Sequence, residues 1–162
     1  MNTSFLLIGG NEGDRQANLD MAVRLMEASG TLVLQRSALY ETAAWGKTDQ
    51  PAFLNQALKV STSLDAPVFL DLLLAIEEKM GRKRREKYGE RNIDIDILFF
   101  NDVILRLPQL VIPHPEIQNR RFALAPMAEI APGLIHPVLH RSIADLLAAC
   151  PDKLEVTKIN QS

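Results

Sequence analysis

Residues 81–100 read GRKRREKYGERNIDIDILFF. In this stretch a basic segment leads directly into a segment with the pattern of a strand. Six cations stand between residues 81 and 91, after which Asp94 and Asp96 alternate with isoleucines. This alternation has the period of a β-strand, so we expect both carboxylates on one face of a sheet and the isoleucines on the other. Two adjacent carboxylates repel each other unless a cation lies between them, which makes the pair a candidate Mg²⁺ site. The basic segment before them suits a polyphosphate.

The alternative interpretation of this stretch is structural. Edge strands often carry charged residues that oppose aggregation, and a run of cations is often a solvated surface loop. The arginines and lysines directly before the Asp-x-Asp pattern favour phosphate binding over this alternative.

Length and composition predict a single domain over residues 1–162. The chain is 47% hydrophobic and 23% charged, as in ordinary globular proteins. Its formal net charge of −2 does not favour a general nucleic-acid role, so the local positive charge points to a small anionic ligand. The single cysteine, Cys150, is expected to be a buried thiol in a reducing compartment. No signal peptide and no membrane-spanning run is recognised, so we expect a cytoplasmic protein with no membrane contact. Low cysteine content and the lack of a hydrophobic surface run give no reason for an obligate oligomer, so we expect a monomer.

Hydrophobic periodicity predicts the element order β-α-β-β-α-β. The predicted strands cover residues 5–8, 31–40, 53–63 and 93–99, and the predicted helices cover 15–28 and 66–80. This order is that of a ferredoxin-like α+β fold, with an antiparallel sheet that carries helices on one face and leaves the other free for a ligand. A C-terminal extension follows, with a hairpin that returns at residues 103–105 and helices at 122–130 and 143–149.

Local signals mark the ends of these elements. Asp14, Asp65 and Ser142 are predicted N-caps, because each precedes a periodic apolar segment. The glycine loop at residues 9–13 suggests either a phosphate cradle or a plain strand-to-helix turn. It lacks the spacing of the known nucleotide-binding loops, which favours the turn.

Motifs along nearly the whole chain resemble one family. They are IGGN at residues 8–11, YETAAWG at 40–46, DQPAFLN at 49–55, GRKRR at 81–85, KYGERNIDIDIL at 87–98 and PHPEIQNRRF at 113–122. The chain resembles the 6-hydroxymethyl-7,8-dihydropterin pyrophosphokinases of folate biosynthesis. This resemblance implies that ATP and 6-hydroxymethyl-7,8-dihydropterin are the substrates. It also implies two Mg²⁺ ions as cofactors, and AMP and the pterin diphosphate as products.

The resemblance assigns roles to the charged residues. Asp94 and Asp96 would be the metal ligands, and Arg82 and Arg84 match arginines of a mobile loop that closes over both substrates. The implied catalytic residues are Arg82, Arg84, Arg91, Asp94 and Asp96. The implied ATP-binding residues are Glu77, Arg91, Ile97, His114 and Arg120. Without the resemblance, Glu77 and Arg120 would be surface charges and His114 a surface-turn histidine.

The pterin contacts are implied in the same way. Asn55 would pair its side-chain amide with the polar edge of the heterocycle, while Phe53 and Phe122 would stack on its two faces. The implied pterin-binding residues are Thr42, Ala43, Trp45, Phe53, Asn55 and Phe122. Without the resemblance both phenylalanines would be interpreted as core residues. Asn11 and Gln50 also match family positions.

The chain departs from the family pattern in three places. The loop at residues 82–88 is shorter, which leaves the pairing of its individual basic residues open. Ala43, Ala44 and Trp45 stand where family members often carry prolines and an aliphatic residue, so Trp45 either covers the pterin or packs the loop. Leu74 replaces a polar residue that often faces the nucleotide.

Two other functions compete with pyrophosphate transfer. A ferredoxin-like RNA-binding module would use the basic loop for phosphates, but the strands lack the aromatic-rich motifs of such modules and the chain is acidic. A kinase that transfers a single phosphoryl group would share the metal site but not the pterin motifs.

Overall fold

The structure is a computed structural model that describes residues 1–43, 50–81 and 92–159. In these ranges the strands are β1 (Asn2–Gly10), β2 (Leu32–Arg36), β3 (Leu39–Thr42), β4 (Phe53–Thr62), β5 (Asp94–Phe100), β6 (Leu105–Leu107), β7 (Leu110–Ile112) and β8 (Val156–Ile159). The helices are α1 (Arg15–Ala28), α2 (Ala66–Lys79), α3 (Arg121–Ile130) and α4 (Ile143–Ala148), and a 3₁₀ turn covers Ile117–Asn119.

Six of the described strands form one antiparallel sheet. Its strand order is β5–β1–β4–β3–β8. Strand β3 pairs with residues 53–55 of β4, and β2 pairs with residues 58–61 of the same strand. The strand predicted over residues 31–40 is therefore two strands, which an interruption at Ser37 and Ala38 separates. Ser37 stays joined to β4, since its amide N–H donates to Ala57 O and its hydroxyl accepts from Ala57 N.

Helices α1 and α2 cover the first face of the sheet. Leu6 and Ile8 of β1 and Leu58 of β4 point to this face and are fully buried there, together with Phe69 of α2. The predicted caps are confirmed, because Asp14 accepts from Ala17 N and Asp65 from Val68 N. Helix α1 therefore begins directly after the glycine loop that ends β1.

The second face is not free along its whole length, which corrects the prediction of helices on one face alone. The alternate residues of the same strands, such as Phe5, Leu7 and Ala57, point to this face. Helices α3 and α4 of the C-terminal extension pack on them through buried residues that include Leu124 and Leu146. The sequence predicted both helices but not the face that they cover.

The rest of the extension also differs from the prediction. The returning segment does not pair with β5, because β6 pairs with β7 in a separate two-stranded sheet. Strand β8 was not predicted, and it pairs with β3 at the sheet edge. Cys150 is buried and unpaired as expected, and Ser142 caps α4. None of the described helices has the length and apolar character to cross a membrane.

A hydrogen-bonded group joins α3 to β3 and β8. The hydroxyl of Tyr40 donates to Glu129 Oε1 at 2.6 Å, Ala38 N donates to Glu129 Oε2 at 2.9 Å, and Lys158 Nζ lies 3.5 Å from Glu129 Oε1. Burial and the neighbouring carboxylate raise the pKa of Tyr40 above 10.0. Burial opposes ionisation of Glu129, but the contacts to Tyr40, Ala38 and Lys158 outweigh it and lower the pKa of this carboxyl below 4.5.

We predict that Tyr40→Phe lowers the free energy of unfolding by about 1–2 kcal/mol near pH 7, because it removes a hydrogen bond to an ionised carboxylate. A lowered pKa in the folded state stabilises the fold above the carboxyl's ordinary value of 4.5, and this stabilisation is lost as pH falls through the folded-state value. The difference between wild type and variant should therefore shrink below pH 4.5. Urea unfolding at pH 4 and pH 7 measures it, and an equal difference at both values contradicts the prediction.

Candidate active site

Strand β5 places the two aspartates of the Asp-x-Asp motif on the second face of the sheet. Asp94 lies opposite Gly9 and Asp96 opposite Leu7 in the antiparallel register with β1. Both carboxylates are half-buried, whereas Ile95 between them belongs to the core of the first face. The predicted alternation of β5 is therefore confirmed, and both carboxylates face the side that α1 and α2 do not cover.

A row of residues runs across the sheet from Asp94. The register joins Asp94 to Gly9, Gly9 to Asn55 and Asn55 to Tyr40, so these residues lie side by side on the second face. A Cβ on Gly9 would overlap Oδ1 of Asn55, which shows that the Asn55 side chain leans over the backbone of β1. Asn55 itself is 5% exposed. Because Asn55 and Asp94 belong to the same row, the Asn55 amide lies on the same face of the sheet as the aspartates.

Thr42 and Phe53 extend this surface at the ends of β3 and β4. The two residues are direct partners in the register. Oγ1 of Thr42 is buried and has no hydrogen-bond partner within the part of the chain that the structure describes. A buried hydroxyl without a partner costs about 1–3 kcal/mol. A ligand that brings a polar edge to Thr42 would remove this cost.

Glu77 supports β5 from α2. It is 5% exposed, and its Oε2 accepts a hydrogen bond of 2.6 Å from the amide N–H of Ile95. The interpretation of Glu77 as a surface charge is therefore wrong. Because Ile95 separates the two aspartates, Glu77 fixes the backbone of the Asp-x-Asp motif.

His114 is attached to the same strand. Its amide N–H donates to Leu98 O at 3.0 Å, and its Nδ1 accepts from Glu116 N at 3.1 Å. Burial lowers the pKa of His114 to about 4, and the positive charge of Arg120 adds to this effect. The ring is therefore neutral near pH 7, and the hydrogen bond at Nδ1 assigns the proton to Nε2.

Arg120 and Phe122 lie where the second face meets α3. The guanidinium carbon of Arg120 is 5.7 Å from the ring centroid of Phe122, within the range of a cation–π contact. Both side chains are half-buried. Among the described residues, the rings of Phe53 and Phe122 do not contact each other.

Other predicted site residues are placed differently or lie outside the described ranges. Ile97 points its side chain into the core of the first face, so an ATP contact from this residue would come from its backbone. Ala43 is exposed directly after β3. Arg82, Arg84, Arg91 and Trp45 lie outside the residues that the structure describes. Leu74, the departure on α2, is 48% exposed.

The donor set fits an incomplete Mg²⁺ site. No cluster of three or more histidine, cysteine, aspartate or glutamate side chains suited to a metal exists in residues 1–43, 50–81 and 92–159. Mg²⁺ is often held by one or two carboxylates, with water and substrate phosphates in the remaining positions. Asp94 and Asp96 have the chemistry and the shared face for this arrangement.

Two features of the site were missed from the sequence. Gly9 was interpreted as part of a turn, although it lies within β1 and admits Asn55. Arg15 was correctly predicted as the start of a helix, but its contacts with Glu41 and Ala52, which precede Thr42 and Phe53, were not predicted. A glycine at a site-facing strand position was the available signal for Gly9, whereas nothing local indicated the contacts of Arg15.

Comparison with known proteins confirms the resemblance. The family described as 7,8-dihydro-6-hydroxymethylpterin-pyrophosphokinase (HPPK) matches residues 5–132. The 2-amino-4-hydroxy-6-hydroxymethyldihydropteridine pyrophosphokinase of Aquifex aeolicus is 38% identical over 146 residues, which cover 90% of each chain. The Bacillus subtilis enzyme of the same name is 40% identical over 130 residues, which cover 80% of this chain and 78% of that one.

The solved structures show the fold. Plasmodium falciparum HPPK-DHPS, in its wild-type structure with SDX-DHP, aligns with a TM-score of 0.72 at 21% identity. The alignment covers 92% of this chain and 43% of that one, so this chain spans less than half of that protein. The family match over residues 5–132, together with relatives of about 40% identity along most of their length, shows that this chain belongs to the HPPK family.

Proposed function

We propose that this chain transfers the pyrophosphoryl group of ATP to 6-hydroxymethyl-7,8-dihydropterin in folate biosynthesis. The hydroxymethyl oxygen bonds to the β-phosphorus as the bond from that phosphorus to the α,β-bridging oxygen breaks, which releases AMP. Family membership supports this reaction. The observation that carries it is the row of the sheet in which Gly9 lies between Asp94 and Asn55, because this row puts a carboxylate suited to a metal and an amide suited to a heterocycle on one face, two strands apart.

The aspartates act on the phosphates. Asp94 and Asp96 would hold two Mg²⁺ ions, which when bound neutralise charge on the triphosphate and on the leaving oxygen. Glu77 keeps the two carboxylates in place through its hydrogen bond to Ile95 N. The loop arginines Arg82, Arg84 and Arg91 would add positive charge on the phosphate side. Such a site accelerates the reaction through positioning and electrostatics.

His114 and Arg120 would bind the nucleotide in different ways. A neutral His114 donates from Nε2 without bringing a second positive charge beside Arg120. Arg120 offers a planar group of donors that can hold two phosphate oxygens at once. Ile97 would contribute its backbone to the nucleotide site.

The pterin would lie on the surface formed by Asn55 and Thr42. The amide of Asn55 presents both a donor and an acceptor, and the hydroxyl of Thr42 can do the same, which suits the alternating polar atoms of a pterin edge. Phe53 and Phe122 would stack on the ring. Ala43 and Trp45, at the start of the segment between β3 and β4, would complete the pocket.

The architecture supports a related proposal about the fold. The order β5–β1–β4 with β2 and β3 beside β4, and α1 and α2 on one face, agrees with a ferredoxin-like core that the C-terminal extension enlarges. We also propose that residues 1–162 act as one monomeric domain. An RNA-binding role is not favoured, because the second face carries carboxylates and the net charge is −2.

Product analysis tests the reaction. With ATP, Mg²⁺ and 6-hydroxymethyl-7,8-dihydropterin, we expect AMP and a pterin diphosphate, and neither product when the pterin or the metal is omitted. Chromatography of the nucleotides and mass spectrometry of the pterin distinguish the outcomes. Formation of ADP and a pterin monophosphate would replace the proposal with single phosphoryl transfer.

A further prediction concerns the carboxylates of Asp94 and Asp96. Asp94→Asn and Asp96→Asn should each reduce kcat by about a thousandfold or more, because each removes a charge that holds the metal while keeping the side-chain shape. The melting temperature should change little. Asp102→Asn, at an exposed position just after β5, is the matched control and should keep full activity. Near-normal turnover in a double Asp94→Asn, Asp96→Asn variant would exclude the metal assignment.

A separate prediction concerns Gly9. In Gly9→Ala the new methyl group occupies the space of Asn55 Oδ1 and displaces the amide. We expect the KM for the pterin to rise about tenfold or more, as for loss of a hydrogen bond in a polar recognition site. The KM for ATP should change much less. Gly133→Ala is the control, because a Cβ added at Gly133 would meet no atom within 4 Å. An unchanged pterin KM in Gly9→Ala would contradict the assignment of Asn55.

A further inference from the structure

We infer that Arg15, at the start of α1, is a positioning residue for the pterin pocket. It holds together the ends of β3 and β4 that carry Thr42 and Phe53, and it does so from the face of the sheet opposite the pocket. This inference rests on the proposed function, since it assigns the residue to the pterin site rather than to general stability.

The contacts of Arg15 converge on one point. Its Nη1 lies 2.7 Å from Glu41 Oε2 and donates to Ala52 O at 2.9 Å. Glu41 immediately precedes Thr42, and Ala52 immediately precedes Phe53. Thr42 and Phe53 are themselves direct partners in the register of β3 and β4. One guanidinium therefore joins the Glu41 side chain of β3 to the backbone carbonyl that precedes Phe53.

Arg15 acts through these strands and does not face the pocket. Glu41 lies opposite Leu54 in the register, and Leu54 belongs to the core of the first face. Thr42 and Phe53, one residue further along each strand, point to the second face. A change at Arg15 can therefore reach the pterin only by moving the strand ends.

The glycine loop supplies a second contact to the same segment. Asn11 is 1% exposed, and its Nδ2 donates to Pro51 O at 3.0 Å and to Gln50 Oε1 at 3.3 Å. Two successive carbonyls before Phe53 are thus held by neighbouring parts of the chain: that of Pro51 by Asn11, between β1 and α1, and that of Ala52 by Arg15, at the start of α1. The entry of the chain into β4 is therefore fixed to residues that directly follow β1, the strand that carries Gly9.

The chain contains a matched control for this pair. Arg36 Nη2 lies 2.7 Å from Asp20 Oδ1 and also donates to Gln56 Oε1. Like Arg15 and Glu41, this pair joins α1 to the strands on the first face. The side chains of Arg15 and Glu41 are 30% and 39% exposed, and those of Arg36 and Asp20 are 35% and 44% exposed. The two pairs differ in what they hold. Arg15 contacts the backbone carbonyl of Ala52 at the start of β4, whereas Arg36 contacts the side chains of Asp20 and Gln56, so its loss leaves the backbone of β4 in place.

The experiment compares Arg15→Met, Arg15→Lys and Arg36→Met with the wild type. Binding of 6-hydroxymethylpterin in the presence of a non-hydrolysable ATP analogue is followed by the intrinsic fluorescence of the pterin. Steady-state kinetics gives separate KM values for the pterin and ATP, and thermal unfolding gives stability. Methionine keeps much of the length of the arginine stem without its charge, and lysine keeps the charge without the planar group of donors.

We expect the Kd for the pterin to rise about tenfold in Arg15→Met, as for loss of a hydrogen bond to a charged group. The KM for ATP should stay within about twofold in the same variant, since only the pterin side of the site moves. Arg15→Lys should recover part of the pterin affinity. Arg36→Met should change the melting temperature by a similar amount and leave the pterin Kd unchanged.

Three results would overturn the inference. They are an unchanged pterin Kd in Arg15→Met, an equal rise in Arg36→Met, and a rise in the KM for ATP as large as that for the pterin. If the wild type binds the pterin but forms no AMP, the proposed reaction fails. The comparison of binding constants still decides the role of Arg15 in that case.

Discussion

The site depends on the side-chain alternation of β5 between two environments. Ile93, Ile95 and Ile97 are each less than 6% exposed in the core of the first face, so a shift of register by one residue would place both aspartates in that core. Burial of two carboxylates in an apolar core costs far more than burial of an isoleucine returns. Hydrophobic packing under the sheet therefore holds Asp94 and Asp96 on the opposite side.

The C-terminal extension divides the second face into a closed part and an open part. Helices α3 and α4 bury Phe5, Phe99 and Ala57, whereas the row from Asp94 through Gly9 to Asn55 lies beyond them. The same extension brings Arg120 and Phe122 to the boundary between the two parts. Tyr40 and Glu129 join α3 to β3, so the boundary is fixed to the strand that carries Thr42. The extension thus stabilises the sheet and forms one wall of the candidate site.

Local patterns predicted what depends on local structure. The alternation at residues 93–97 and the caps Asp14, Asp65 and Ser142 were correct, because each is decided within a few residues. Strand β8 was missed because its short segment, Val156–Ile159, is stabilised by pairing with β3 rather than by its own pattern. The face covered by α3 and α4 was missed for a related reason, since their apolar residues indicate burial but not the partner. The roles of Gly9 and Arg15 arise from contacts between distant segments, which no single pattern records.

The polar interior of the site explains why several of its supports come from neighbouring elements. Thr42 Oγ1 is buried without a partner among the described residues, and Asp94 and Asp96 place two carboxylates on one strand face. The buried hydroxyl opposes folding, because a buried polar group without a partner has lost its hydration. Contacts from other elements therefore have to hold these strands in place: Glu77 from α2 at Ile95, and Arg15 from α1 at Glu41 and Ala52. If these strands shifted so that their polar groups found partners within the protein, the site would lose the geometry that a pterin and a triphosphate require. The supports are therefore part of the binding site, although they do not face it.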